Sequence, residues 1–276
     1  MVKVIVKPIE QLVDVDKVEQ EARQKTEEFV KTAPKNGQLY LLSPPSFGAY
    51  PSLLASNCPV KAVYKMFFGD YGRKEDVNRV IFGELIHRRY QESFKAINPK
   101  VTVLSEVELD GRQGGGVKGV ADIVYIYDDY DGQEKAGVIE LKSRRYFKSP
   151  YLPDDPVEVQ FGSHKLTWYG YVKRVYLQLA SYVKLLKDSG ETVDEAYVVT
   201  RAEVTPVSLS ELDKHAETAM KTLETLNKIY EENRNNPLSI FPSRAPYPNL
   251  CSNCQLRDIC PTFRQHAKEL GIMKYL

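Results

Sequence analysis

The sequence predicts an α/β chain: a mixed central sheet flanked by helices, joined to a helical and cysteine-rich lobe. Three observations predict it. Apolar residues recur at helical spacing in several well-separated segments, three β-rich runs with short turns lie between two of them, and three of the four cysteines crowd into a Pro-rich tail. That tail has too few apolar residues to bury a core of its own, so something else must order it.

In chain order, residues 10–33 place Leu12, Val15, Val18 and Ala22 at helical spacing and predict a peripheral amphipathic helix. The Pro- and Ser-rich run LLSPPSFGAYPSLLASNCP predicts a loop leading to a short helix that ends near Cys58–Pro59. Residues 60–68 read as helix until GDYGRKED interrupts them. Residues 76–97 carry Val80, Ile81, Leu85 and Phe94 as an apolar stripe, and Asn98–Pro99 stops that helix. VTVLSEVEL, VKGVADIVYIY and VIELKSRRYF then predict an antiparallel meander with turns at DGRQGGG and DDYDGQEKAG. GGGVKG lies between two strands, which makes it a hairpin and not a phosphate-cradling loop. Residues 150–164 read as an irregular insertion, 165–187 as a long helix, DEAYVVTRAEVTPVSL as one or two strands, and 209–235 as a charged helix. The division this suggests is 1–75 as an N-terminal helical region, 76–235 as the core, and 236–276 as the cysteine-rich tail.

A chain of 276 residues can bury a sizeable core, and its 42% hydrophobic and 27% charged residues are those of an ordinary globular protein. A net charge of +1 excludes holding nucleic acid through bulk charge, though not a local basic groove. MVKVIVKPIEQLVDVDKVEQ lacks a signal-peptide pattern, and no apolar run nears the ~20 residues of a membrane helix. A cytoplasmic chain with no membrane partner is expected.

The chemistry centres on Asp122 in GVADIVYIY and on Glu140 and Lys142 in VIELKS. Residues two apart in a strand share a face, and a short meander brings the two strands side by side. Two carboxylates and a lysine would then converge. Phosphodiester hydrolysis uses such a set: carboxylates hold Mg²⁺ or Mn²⁺, the ion activates water, and a lysine steadies developing negative charge. Glu-x-Lys is also common on solvated strands, but here Val138, Ile139 and Leu141 mark a buried strand in which both charges need partners. His87 lies four residues after Gly83 on one helix face and is a candidate ligand for a Mn²⁺-type ion. Gln178 and Tyr182 are likewise four apart on one helical face.

The order G-x3-H, G-x2-D, E-x-K, Q-x3-Y over residues 83–182 resembles the RecB-like branch of the PD-(D/E)xK nucleases, with its restriction-endonuclease-like core. The resemblance implies that His87, Asp122, Glu140 and the carbonyl of Leu141 bind the metal and that Lys142 is the catalytic lysine. It also implies that Gln178 and Tyr182 help hold the DNA strand.

Cys251-x2-Cys254-x5-Cys260 in the tail leaves one vacancy in a four-thiolate set, and Cys58 is the cysteine that remains. Spacing alone admits zinc or an iron–sulfur cluster. Wrapped around the nuclease motifs, however, Cys58-Pro59 and the terminal C-x2-C-x5-C-P resemble the CRISPR-associated exonuclease family Cas-four. That likeness spans about residues 46–264 and implies a 4Fe–4S cluster that staples tail to N-terminal region. It also implies an exonuclease acting on single-stranded ends or flaps during spacer acquisition, with CRISPR integrase proteins as partners. A long N-terminal segment, Val60 where a basic residue is typical, and a long insertion at 146–170 point to a larger, archaeal-type variant. A RecB-like repair nuclease and a non-cleaving DNA-binding subunit of an integration complex are the rival readings. Arg88 and Arg89, Arg144, Arg145 and Lys148, and Lys173 and Arg174 flank the site as phosphate contacts would. Tyr146, Phe147, Trp168 and Tyr169 are candidates to stack on unpaired bases.

Overall fold

The computed structural model describes residues 4–36, 38–111, 117–147, 155–251 and 254–269. Helix α1, Val15–Thr32, starts where the Asp14 side chain accepts the Lys17 amide. Strands β1 (Lys35–Asn36) and β2 (Leu39–Ser43) follow. Helix α2, Pro59–Phe68, begins directly after Cys58 with Pro59 in its first turn. It ends at Gly69, whose φ of 86° turns the chain into β3 (Asp70–Gly72). Helix α3 runs Lys74–Ile97.

The expected meander is present as β4 (Thr102–Gly111), β5 (Val117–Asp128) and β6 (Glu134–Leu141), each antiparallel to the next. The hairpin expected at GGGVKG joins β4 to β5, and its residues 112–116 lie outside the described set. Helix α4, Tyr171–Asp188, crosses over to β9 (Val193–Val199), which pairs with β6 in parallel. Strand β10 (Val204–Pro206) closes the far edge. The sheet is therefore mixed, in the order β10-β9-β6-β5-β4. Helix α5, Leu209–Asn233, packs on α4, and the tail carries α6 (Pro248–Cys251) and α7 (Pro261–Glu269).

Helices cover both faces, so every residue of β6 from Ala136 to Leu141 is buried. One core packs Val124, Val138 and Val198 against α4, α5 and α2. The other packs Ile123, Ile139 and Leu141 against Val18 and Ala22 of α1 and Ile86, Tyr90 and Phe94 of α3. The N-terminal segment belongs to this second core. Its Ile9 and Glu10 amides donate to the Thr200 and Arg201 carbonyls at 3.0 and 2.9 Å. Gly137 of β6 is required by its neighbour: the Tyr125 ring lies across it, where a Cβ would stand, and the Tyr125 hydroxyl donates to Glu195 on β9. One side chain thus spans three strands and covers a glycine in the middle one.

Several expectations change. Part of the 150–164 insertion is a hairpin, β7 (Val157–Phe161) with β8 (His164–Trp168), turning at Gly162 with φ 56°; the helix predicted from 165 starts at Tyr171. VEVQF-GS-HKLTW alternates around a two-residue Gly-Ser turn, a hairpin pattern hidden in a segment too short for a strong period. The Pro/Ser-rich entry also contributes β2, which pairs with β3. Val80, placed on the apolar stripe of the long helix, is exposed. Among the described residues no helix is long and apolar enough to cross a membrane.

Candidate active site and cysteine cavity

The β5–β6 register ends at Ile123 opposite Ile139, and Asp122 and Glu140 are the next residues on these two adjacent strands. Like charges close together on adjacent strands repel, so this placement calls for a cation. Lys142, two residues on, supplies one: its Nζ donates to Glu140 Oε1 at 2.6 Å. Gln178 Oε1, on α4, accepts from the same Nζ at 3.0 Å, and Gln178 Nε2 donates to the Tyr182 hydroxyl at 3.0 Å. From α3, His87 Nδ1 lies 3.3 Å from Asp122 Oδ1, while the Leu141 amide donates to Asp122 Oδ2 at 2.7 Å. The second Glu140 oxygen, Oε2, is buried with no hydrogen-bond partner.

His87, Asp122, Glu140, Lys142, Gln178 and Tyr182 thus form one connected set drawn from α3, β5, β6 and α4. Sequence reading overlooked Gln91, one turn after His87, whose Nε2 donates to the Asp122 carbonyl at 2.9 Å. The i, i+4 spacing of His87 and Gln91 is the signal that could have found it. Gly83 stands beside Ser143, where a Cβ would make ordinary contact at 3.7 Å. Gly119 is sterically demanded: a Cβ there would meet Pro51 at 2.8 Å and the Tyr182 ring at 3.1 Å.

Burial pushes the Glu140 carboxyl up to about 7; Lys142 opposes the rise and Asp122 adds to it. Asp122 moves the other way: burial would raise it, but His87, Lys142 and the Leu141 amide together hold it low. For His87 burial works against the proton, and the Asp122 carboxylate more than offsets it, so its pKa rises. Glu140 is an acid whose folded pKa lies above its usual 4.5, so its contribution to stability is full below about 4.5 and is lost as pH rises toward 7. With divalent ions chelated, wild type is expected to lose on the order of 3 kcal/mol relative to Glu140→Gln across that window. Urea unfolding of both proteins at a series of pH values checks this. A wild-type-minus-variant difference that stays flat from pH 4.5 to 7 would contradict it.

Arg144, next but one after Lys142, lays its guanidinium 4.2 Å from the Tyr171 ring. Gln178 and Tyr182 are 3% and 2% exposed, so the contact the structure gives them is with Lys142 and with each other. Phe147 and Trp168 are buried in the core and present no stacking surface, which corrects that expectation; Tyr146 is exposed. Arg89 is paired with Glu21 and Glu92, Arg145 leans on Tyr146 and Lys173 on Tyr169. Lys148 lies outside the described residues.

Cys58, Cys251, Cys254 and Cys260 line a single cavity between the start of α2 and the tail. None is in a disulfide, and each is partly buried. Burial pushes the Cys58 thiol to about 12 and Cys251 to about 11, and raises Cys260 as well. The tail is held to β3 and to the residue before α3 by Gln255 Nε2 to Asp70 Oδ1 at 3.0 Å and Arg73 to Asp258 at 3.1 Å. Among the described residues no three His, Cys, Asp or Glu side chains are gathered into a set ready to hold a single ion.

No family model and no curated protein matches the chain. Among solved structures, one described as "Crystal structure of SSO0001" is similar at 19% identity with a TM-score of 0.44, covering 89% of this chain and 96% of that one. A likeness at that level says nothing of activity.

Proposed function

We propose that the chain is a metal-dependent DNA nuclease of the PD-(D/E)xK type, in its iron–sulfur RecB-like branch. The observation that carries the reading is the placement of Asp122 and Glu140 just past the end of the β5–β6 register, with Lys142 bonded to Glu140 and to Gln178. The donor chemistry, though not gathered around one point in this structure, is that of a Mg²⁺ or Mn²⁺ site: two carboxylates, a backbone carbonyl and one imidazole, with Glu140 Oε2 buried and unpartnered. Asp122, Glu140, His87 and Leu141 would hold the ion, which when bound polarises a phosphate and acidifies water. Lys142 keeps its ammonium at the carboxylate pair, where charge develops as the phosphodiester is attacked. Gln178 orients that ammonium and Tyr182 orients Gln178. Gln91 holds the β5 backbone at Asp122. Arg144, beyond the catalytic strand, would meet a neighbouring phosphate.

Four cysteines around one cavity fit a 4Fe–4S cluster that orders the tail. The order of motifs and cysteines favours DNA with single-stranded ends or flaps as substrate and processing for CRISPR spacer acquisition, beside integrase proteins, as the pathway. The test is an anaerobic assay with end-labelled single-stranded, duplex and flapped DNA, with and without Mn²⁺ or Mg²⁺. Metal-dependent cutting by wild type and none by Glu140→Ala is expected; an inert wild type that still binds DNA would overturn the enzyme reading in favour of a binding subunit.

A further inference from the structure

Thr262 lies in the first turn of α7, two residues after Cys260, and takes no part in the reaction above. It is 1% exposed, and its Oγ1 is buried without a hydrogen-bond partner. A buried hydroxyl left unpaired is destabilising, so one kept in that state calls for a partner. Threonines inside helices usually find it in the carbonyl four residues back. Thr26, Thr222 and Thr225 do so here, at 2.7, 2.7 and 2.8 Å. At Thr262 the chain four residues back is a turn and not yet helix, and that carbonyl is not within reach.

The cysteine cavity supplies acceptors. Thr262 lines it together with Cys58, Cys251, Cys254 and Cys260. Cys58 and Cys260 enter the cavity in the same way. Each directly precedes the proline that opens a helix, and each carbonyl accepts the first helical amide, from Ala62 at 3.1 Å and from Arg264 at 3.0 Å. Proline has no N–H, so the free amides of each helix start fall at the next two positions. Burial raises the Cys260 thiol, and the Phe263 and Thr262 amides oppose the rise as donors to it. On α2 the residue in the place of Thr262 is Val60, so the hydroxyl is a donor that only the Cys260 side has. Lys61 and Arg257 are the ionised side chains of the lining besides the cysteines, both are cations, and no carboxylate stands among them. Four thiolates around a zinc ion or a cubane cluster carry net negative charge, which such a lining suits.

We propose that the Thr262 hydroxyl donates a hydrogen bond to a sulfur on the Cys260 side of the four-cysteine centre. This rests on the reading that Cys58, Cys251, Cys254 and Cys260 hold a metal centre. Thr262 is a positioning residue: it seats the start of α7 against the centre and favours the more negative of its charge states.

The experiment compares wild type with Thr262→Val, Thr262→Ala and Thr262→Ser, all purified anaerobically. Val removes the hydroxyl at nearly equal volume, Ala removes it and serves if the Val variant does not fold, and Ser keeps it. Iron, sulfide and zinc are measured first, then the rate at which a chelator removes the metal and, for a cluster, its reduction potential. Thr262→Val is expected to lose metal about tenfold faster than wild type, and Thr262→Ser to stay within about threefold of it. Loss of the donor should also make a cluster harder to reduce, by about 59 mV for a tenfold shift in the one-electron ratio. Melting gives a contrast in sign: Thr262→Val should melt lower than wild type when loaded, and no lower when stripped of metal, because the stripped protein has shed an unpaired hydroxyl. A folded Val or Ala variant with wild-type loss rate and potential overturns the role of Thr262 and leaves the metal centre standing. A Ser variant as impaired as Val overturns it too, since shape and not the hydroxyl would then matter. Zinc in place of iron overturns the cluster alone, and the loss rate still decides for Thr262. A wild-type chain with no metal overturns both.

Discussion

Glu140→Gln is expected to reduce metal-dependent DNA cleavage by at least roughly 10²–10³-fold, the scale on which loss of one preorganised charge-stabilising group is felt. The substitution keeps the volume of the side chain and removes the charge that stands with Asp122 just past the end of the β5–β6 register. It also removes the anionic partner of Lys142, 2.6 Å away. Lys142→Met should be as severe for a different reason, since it leaves Glu140 and Asp122 opposed with no ammonium between them. Glu140 then takes up a proton more readily, which burial already favours. Both variants break the same buried pair, so each should lose on the order of 3 kcal/mol. Unchanged circular dichroism at the assay temperature is the check that each is folded when its cleavage is read. End-labelled substrate on denaturing gels measures the first effect and urea unfolding the second. Cleavage within threefold of wild type by Glu140→Gln would remove this pair from the reaction.

The second large effect is expected at the cysteines. Cys254→Ser and Cys58→Ser should each release the metal centre and loosen the tail together. Without that centre, the attachments around the cysteines among the described residues include the Asp70–Gln255 and Arg73–Asp258 contacts and the burial of Leu256. Structural metals contribute roughly 10–16 kcal/mol in small domains. If only about 3 kcal/mol is lost here, a chain of this size should melt about 6–12 °C lower. Limited proteolysis should then cut within 242–261, and melting curves should lose their sensitivity to chelators. A Cys254→Ser protein with wild-type melting, iron content and protease pattern would show that the cavity holds no such staple. That Cys58, far upstream, should give the same phenotype as Cys254 is the sharper part of the expectation.

Glu140 and Lys142 are legible as a pair because strand geometry has period two, and the apolar residues around them signal a buried strand. The meander was legible from its short turns, and the turn lengths bring Asp122 into range. That Asp122 and Glu140 both fall just past the end of the pairing depends on register, which periodicity does not specify. Long-range partners were less visible. Arg174 and Gln178 are four residues apart on α4 and both are buried, but the sequence shows Arg174 only as half of a basic pair with Lys173. Phe147 and Trp168 read as exposed stacking residues because they lie in polar surroundings. Their burial is decided by how α4 and the β7–β8 hairpin fold over them, and that is tertiary information.

The cysteine cavity is closed by segments that lie far apart in the chain. Ala49 is tied to Asn227, Asp70 to Gln255, and Arg73 to Asp258, partners 178, 185 and 185 positions apart in the sequence. At roughly 5–20 residues per second, on the order of 10 s or more separates the emergence of Cys58 from that of Cys260. Through that interval the sheet can assemble while α2 and its thiol wait without their partners. The residues that close the lobe thus emerge well after the thiol they cover, and a chain stopped short of Cys251 carries Cys58 unguarded.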